Sequence, residues 1–343
     1  RKSQDQTVLR FDPSDPSGAS ACFNPLEEIR LDSLLAIPDV QNMAAMLVDP
    51  TGKGLEDHWS KAAFAMLAGA LLHCCIMVRH SQKRTATLYD LSCMLADESR
   101  TIQDLFKEMV ETDHAVLLQE IFPGAESGDK AHIFIASSAR EMLNKAENEG
   151  SGVVSTALTN LALYRDPVVA RVTARCDWRI ADLVGSRQPV TLYLVVPPSD
   201  INRTKPLIRL ILNQIGRRLT EELTTSGKRH RLLLMLDEFP ALGRLDFFES
   251  ALAFMAGYGI KGFLIAQSLN QIERAYGPNN AILDNCHVRV SFATNDERTA
   301  KRISDALGTA TELRDSTNYA GHRLAPWLGH LMVSRQETAR PLL

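Results

Sequence analysis

The chain has 343 residues, 45% of them apolar and 23% charged, with a formal net charge of −3. That length points to two domains or to one domain with a large insertion, and the composition to a globular protein able to bury a sizeable core. A polycationic chain is excluded, so contact with nucleic acid has to come from local patches or from assembly. The six cysteines include no C-x-x-C pair and read as reduced thiols of a cytosolic compartment, not as a disulfide framework.

In chain order, "TVLRF" reads as a short strand over 8–11 that leaves into the Asp-, Pro-, Ser- and Gly-rich connection "DPSDPSGASACFNP". Over 39–176 strand signal is nearly absent. Apolar residues there recur at helical spacing, as with Leu105, Met109 and Val110 or Leu158, Leu161 and Ala162, and Gly124, Gly128, Gly150 and Gly152 punctuate the helices. Within this block the run 62–78, "AAFAMLAGALLHCCIMV", imitates a membrane span but falls short of the ~20 residues a spanning helix needs, and reads as a buried bundle helix. His73, Cys74 and Cys75 lie inside it; sequence neighbours do not share one helical face, so a core role is expected and not a metal site.

After the block, strands alternate with helices. Strands are expected at 190–196, at 232–236, in "GFLIAQ" ending at Gln267, in "HVRVSFA" and near "HLMVS"; helices at about 204–223 and 245–255, from Leu269, and in "DERTAKRISDALG". The stretch "GTATELRDSTNYAGHRLAP" reads as loop. Alternating strands and helices predict a parallel sheet covered on both faces. The order of blocks predicts a sheet domain, residues 1–38 and 177–343, interrupted by an all-α domain, 39–176.

The chemistry concentrates in "LLLMLDEFPALG", where five apolar residues run into Asp237 and Glu238. Ligands of parallel α/β sheets sit beyond the carboxyl ends of strands, and carboxylates are costly to bury without a partner. Two acids at such a strand end suit a nucleoside-triphosphatase, Asp237 reaching magnesium through water and Glu238 orienting or deprotonating the attacking water. The rival reading is a pair of acids at the N-terminus of the next helix. Gln267, at the end of the next strand, is placed to hydrogen-bond a γ-phosphate or the water; its rival reading is a strand-end amide in solvent. A phosphate-binding loop G-x-x-x-x-G-K-[ST] is missing. Its one echo, "DPTGKGLED", lacks the first Gly and carries Gly54 where the hydroxyl belongs, so Gly52, Lys53 and Gly54 read as a turn before a helix. Arg298 and Arg302 are candidates for an arginine finger supplied to a neighbouring subunit, against a solvated helix face beside Glu297 and Asp305. Arg289 alternates with Val288 and Val290 and is expected to face out of the sheet.

The combination of "LLLMLDEFPALG", "GIKGFLIAQSLNQI" and "NCHVRVSFATNDERTAKRISDALG" resembles the TraG/VirD-type coupling ATPases of type IV secretion and conjugation. So do "VLRFDPSD…FNPL", "PVTLYLVVPPSD" and "VSRQETARPLL". The resemblance runs along most of the chain. It implies a RecA-like α/β fold, a mainly parallel sheet flanked by helices, with an inserted all-α domain for substrate recognition. It also implies ATP and Mg2+ as cofactors, a homo-hexamer, and a place at the cytoplasmic face of the bacterial inner membrane. The partners it implies are relaxase–DNA or effector substrates and components of the secretion channel. It matches Asp237 and Glu238 to the Walker B acids and Gln267 to the glutamine of the next strand. The Arg that some relatives carry before that strand has no counterpart in "FMAGYGIKG", which leaves the trans finger unassigned, with Arg298 one candidate on the chain's own residues. By the same resemblance the Walker A loop and membrane helices precede Arg1, both ends of the chain look like cuts in a longer protein, and the chain alone is expected to be inactive and monomeric. Two alternatives stand beside this reading: a non-hydrolysing docking platform, and a DNA pump of the FtsK or HerA type unconnected to secretion.

Overall fold

The structure, a computed structural model, describes residues 6–49, 52, 54–223, 229–292, 295–320 and 330–341. The chain divides into two compact units, Arg1–Leu264 and Ile265–Leu343.

The first unit opens with strand β1 (Thr7–Phe11) and continues into helices α1 (Ala36–Val48), α2 (His58–Gln82), α3 (Leu88–Leu95), α4 (Ile102–Glu111), α5 (His114–Ile121), α6 (Gly128–Leu143), α7 (Glu147–Leu161) and α8 (Pro167–Val172). Their starts are written in the sequence. Thr87 with Asp90, and Thr101 with Asp104, form reciprocal capping boxes at α3 and α4. Asp166 caps α8, whose first position is proline, preset for the helical φ and in no need of an N–H there. Helix α2 is the centre of the block. Its middle is buried all round, from Met66 to Ile76, and this is the apolar run that imitates a membrane span. Gly150 and Gly152 lie inside α7 and do not punctuate it; a Cβ at Gly152 would come 2.6 Å from the Trp59 ring, so the glycine admits a close contact.

Helices α2 and α6 cross closely at small residues. A Cβ at Gly69 would lie 2.5 Å from the Ser138 Cβ, and the Ser138 hydroxyl donates to the Ala65 carbonyl at 2.8 Å. Because neither backbone can yield locally, Gly69→Val is expected to destabilise the block by about 2 kcal/mol, the usual cost of overpacking, seen as a lowered thermal midpoint.

The interior of the block holds a chain of imidazoles. His73 Nδ1 lies 2.8 Å from His114 Nε2, and His114 Nδ1 lies 3.3 Å from His132 Nδ1. At the other end His73 Nε2 faces Glu108 Oε1 at 3.5 Å, and Arg100 pairs with the same carboxylate. Along the two ring–ring contacts one nitrogen can donate to the next, whereas His73 Nε2, 3.5 Å from Glu108 Oε1, makes no hydrogen bond among the described residues. His73 and His114 are buried. Burial, then the neighbouring His73 and His132, push His114 down to about 3, and the His73 ring holds the Glu108 carboxyl below its ordinary value.

After α9 (Asp182–Gly185), strand β2 (Val190–Leu194) pairs in parallel with β1 from Thr7↔Val190 to Phe11↔Leu194. The whole helical block therefore lies in the connection between two neighbouring parallel strands. Helix α10 (Ile201–Leu219) leads to β3 (Leu232–Leu236), α11 (Asp246–Ala251) and β4 (Ile260–Leu264), and β3 pairs in parallel with β4 from Leu232↔Ile260 to Leu236↔Leu264. The expected parallel pairing is present, but these four strands form two separate ladders instead of one continuous sheet. Nor is the β3–β4 ladder covered on both faces. Phe248 and Leu252 pack beside Gly262 on one side, while Leu233, Met235 and Phe263 on the other are exposed.

The second unit contains α12 (Leu269–Tyr276), α13 (Glu297–Leu307), and the antiparallel pair β5 (Thr309–Ala320) and β6 (His330–Pro341). Two expectations are corrected here. The run "HVRVSF" is not a strand: Val288, Val290 and Phe292 are 84%, 73% and 86% exposed, and no neighbouring strand pairs with it among the described residues. Alternation alone does not make a strand when no partner satisfies its backbone. Conversely, Thr309–Ala320 was expected as loop and is β5, paired along its length with β6; the rest of that stretch, 321–326, lies outside the described residues. Cross-strand ion pairs, Arg335 with Asp315 and Arg340 with Glu312, accompany the pairing of this polar segment.

Candidate functional site

Asp237 and Glu238 follow directly on β3, at its carboxyl end, where the apolar run that builds the strand stops. Asp237 is exposed and Glu238 half-buried. Glu238 has φ 52° and ψ 41°, the left-handed region that L-residues other than Gly enter at a cost of roughly 1–2 kcal/mol. It precedes a 3-10 turn, Phe239–Leu242, and the Ala241 N–H donates to the Glu238 carbonyl at 2.8 Å.

The turn is held at both ends. Phe239 is buried at its front. At its back the Leu242 carbonyl accepts from Arg209 Nη1 at 2.9 Å, and Gly243 leaves with φ 73°. Arg209 is a buried residue of α10 that the sequence reading passed over. Its one sequence signal is an arginine set in "LIRLIL", where apolar neighbours on either side leave no polar face for it.

The "TGKG" turn also takes a definite role. The Gly52 and Gly54 amides donate to the two carboxylate oxygens of Asp49 at 2.8 and 2.6 Å. These two amides are thus directed at the chain's own carboxylate and not at a phosphate. A Cβ at Gly52 would lie 2.5 Å from Arg209 Nη2 and 2.3 Å from the Arg244 carbonyl, so this turn packs against the segment that follows the two acids.

Gln267 stands three residues beyond β4, exposed, and its N–H donates to the Gln271 side chain at 3.0 Å. It belongs to the second unit, whereas Asp237 and Glu238 belong to the first. Arg298 of α13 pairs with Glu273 at 2.7 Å and Arg302 with the same carboxylate at 3.7 Å, so α12 supplies their partner and not Glu297 or Asp305. Arg289 donates to the carbonyls of Leu283 and Cys286.

Among the described residues no three His, Cys, Asp or Glu side chains cluster as a metal site. Asp237 suits a different kind of cation. A single exposed carboxylate at a strand end matches magnesium, which keeps most of its waters and takes one or two carboxylates besides phosphate oxygens.

The chain matches the family model described as Type IV secretory system Conjugative DNA transfer over residues 1–343. It is 43% identical to a conjugal transfer protein TraG of Escherichia coli over 98% of the chain and 52% of that protein. It is 31% identical to protein VirD4 of Rhizobium rhizogenes over 94% of the chain and 45% of that protein. The chain thus spans about half the length of these relatives. Among solved structures, the plasmid coupling protein TrwB in complex with the GTP analogue GDPNP aligns with TM-score 0.59 at 17% identity, over 98% of this chain and 72% of that one. TrwB in complex with ADP and Mg2+ aligns with TM-score 0.57 at 18% identity, over 90% and 69%. At such identities the likeness concerns the fold, α/β and RecA-like with a helical domain.

Proposed function

The chain belongs to the Type IV secretory system Conjugative DNA transfer family, and from that premise we propose that it is the hydrolytic and docking portion of a coupling ATPase. The observation that carries the reading is Glu238: a non-glycine residue held in the left-handed region, beside Asp237, at the carboxyl end of a parallel strand. A structural turn residue at that position would be Gly or Asn. A carboxylate kept there at a conformational cost points to a use for the carboxylate.

In this reading Asp237 holds magnesium through water, Glu238 orients the attacking water and takes its proton, and Gln267 senses the γ-phosphate. ATP would supply the phosphoanhydride, and a bound Mg2+ would supply positive charge to its phosphate oxygens. The nucleotide complexes of TrwB support both cofactors. Residues 1–38 and 177–343 form the nucleotide-binding domain, 39–176 the all-α domain that receives cargo, and Arg298 is the candidate for action on a neighbour's nucleotide. The whole protein works as a hexamer at the cytoplasmic face of the inner membrane and delivers relaxase–DNA or effector substrates to the secretion channel. Asp237→Asn in the full-length protein is expected to abolish magnesium-dependent ATP hydrolysis together with conjugal DNA transfer. Hydrolysis at the parent rate would overturn the reading.

A further inference from the structure

We propose that Arg209 is a positioning residue for Glu238, and that through it the Gly52 turn of the helical block bears on the hydrolytic loop. The inference rests on the ATPase reading above.

The backbone after β3 does not hold Glu238 in place unaided, because the left-handed conformation is uphill for a residue with a Cβ. Something has to over-determine it. The buried ring of Phe239 anchors one side. On the other side the Leu242 carbonyl, at the end of the 3-10 turn, is pinned by Arg209 Nη1 at 2.9 Å. Arg209 is itself only 5% exposed, and α10, from which it projects, is a long helix whose apolar stripe is buried. The pin is therefore rigid. A charged donor inside the protein makes a stronger bond than a neutral one, and losing it leaves a half-buried carbonyl to find another partner.

The same guanidinium has a second neighbour. Gly52 lies between α1 and α2, and its N–H, like that of Gly54, donates to the Asp49 carboxylate at the end of α1. The space a Cβ at Gly52 would need is taken by Arg209 Nη2 and by the Arg244 carbonyl. Only a glycine allows this approach, and its φ of 73° is also one that glycine adopts freely. A shift of the α1–α2 turn thus presses on the side chain that holds the Glu238 loop and on the backbone just beyond it. Packed interiors transmit such shifts because they have no slack.

Displacement of a catalytic group by about 1 Å costs on the order of 100-fold in rate. In the full-length protein, Arg209→Met is expected to lower kcat for ATP by roughly 100-fold, with KM for ATP changed less than about threefold, because a positioning residue for the water-activating group does not touch the nucleotide. Arg209→Lys keeps one donor within reach of the Leu242 carbonyl and should restore a large part of kcat. Gly52→Ala, which leaves Arg209 in place but crowds it, should lower kcat in the same selective way. If Arg209→Met does not fold, the Lys and Gly52→Ala variants decide the matter. A parent kcat in Arg209→Met, or in Gly52→Ala where the Met variant does not fold, or a loss that falls on KM, overturns the inference. Glu238→Gln, measured alongside, separates the two levels. If it is inactive while the Arg209 and Gly52 variants are normal, the ATPase reading stands and the positioning role falls. If Glu238→Gln itself turns over normally, both fall.

Discussion

Glu238→Gln in the full-length protein is expected to abolish ATP turnover and to leave nucleotide binding largely intact. Gln keeps the shape of the side chain and its hydrogen-bonding oxygen but cannot accept the proton of the attacking water, and removal of a positioned base costs about 10²- to 10⁴-fold. Binding is expected to survive because, in the proposed roles, Glu238 would hold neither the phosphates nor the metal. A companion variant makes the prediction sharper. Glu238→Gly relieves the left-handed backbone, φ 52°, that the native residue carries, so it should be at least as stable as the parent, gaining up to about 1 kcal/mol, while being as inactive as the Gln variant. A residue present for structure alone would show no such opposition of stability and activity. The pair is read by steady-state hydrolysis, nucleotide calorimetry and thermal unfolding. Turnover by Glu238→Gln within tenfold of the parent removes Glu238 from the role of base.

The second large effect is acid sensitivity of the helical block. His114 titrates at about 3 in the folded chain, where burial and its imidazole neighbours disfavour the charged ring, against 6.5 for an unperturbed histidine. Between pH 6.5 and 3 the unfolded chain binds a proton at His114 that the folded chain does not. Stability therefore falls as pH falls through that window, and is fully present above it. The loss is on the order of 2 kcal/mol by pH 5 and about twice that at the acid end of the window. The groups that face His114 are His73 from α2, Glu108 from α4, Asp113 at the start of α5 and His132 from α6; the two acids oppose the depression and the two rings enforce it. The low value of Glu108 acts in the same direction further into acid, since a carboxyl held below its ordinary value loses its contribution when it protonates. Thermal midpoints at pH 7.5 and 5.0 should differ by several degrees, and His114→Gln should reduce that difference. Imidazole 15N shifts provide a direct check. His114 stays neutral down to pH 5, and a titration of that ring near 6.5 would show that the buried chain of rings is not as described.

Local sequence specified much of this molecule. The apolar pentapeptide before Asp237 is the strand expected, and its abrupt end in two carboxylates puts them at the strand's tip, as observed. The helical block was equally legible, because capping residues and 3.6-residue spacing are local signals and α2 has apolar residues on every face. Where pairing between distant segments decided, local pattern misled. "HVRVSF" alternates like a strand and is exposed coil, whereas Thr309–Ala320 carries few apolar residues and is a strand because β6 lies beside it. The left-handed backbone of Glu238, the Arg209 bond to Leu242, the packing of Gly52 against both arginine segments, and the His73–His114–His132 chain arise only when far-separated parts meet. Periodicity reports which face of an element is buried. Which polar groups then find one another across that buried face is set by packing geometry, and no stretch of neighbouring residues contains that information.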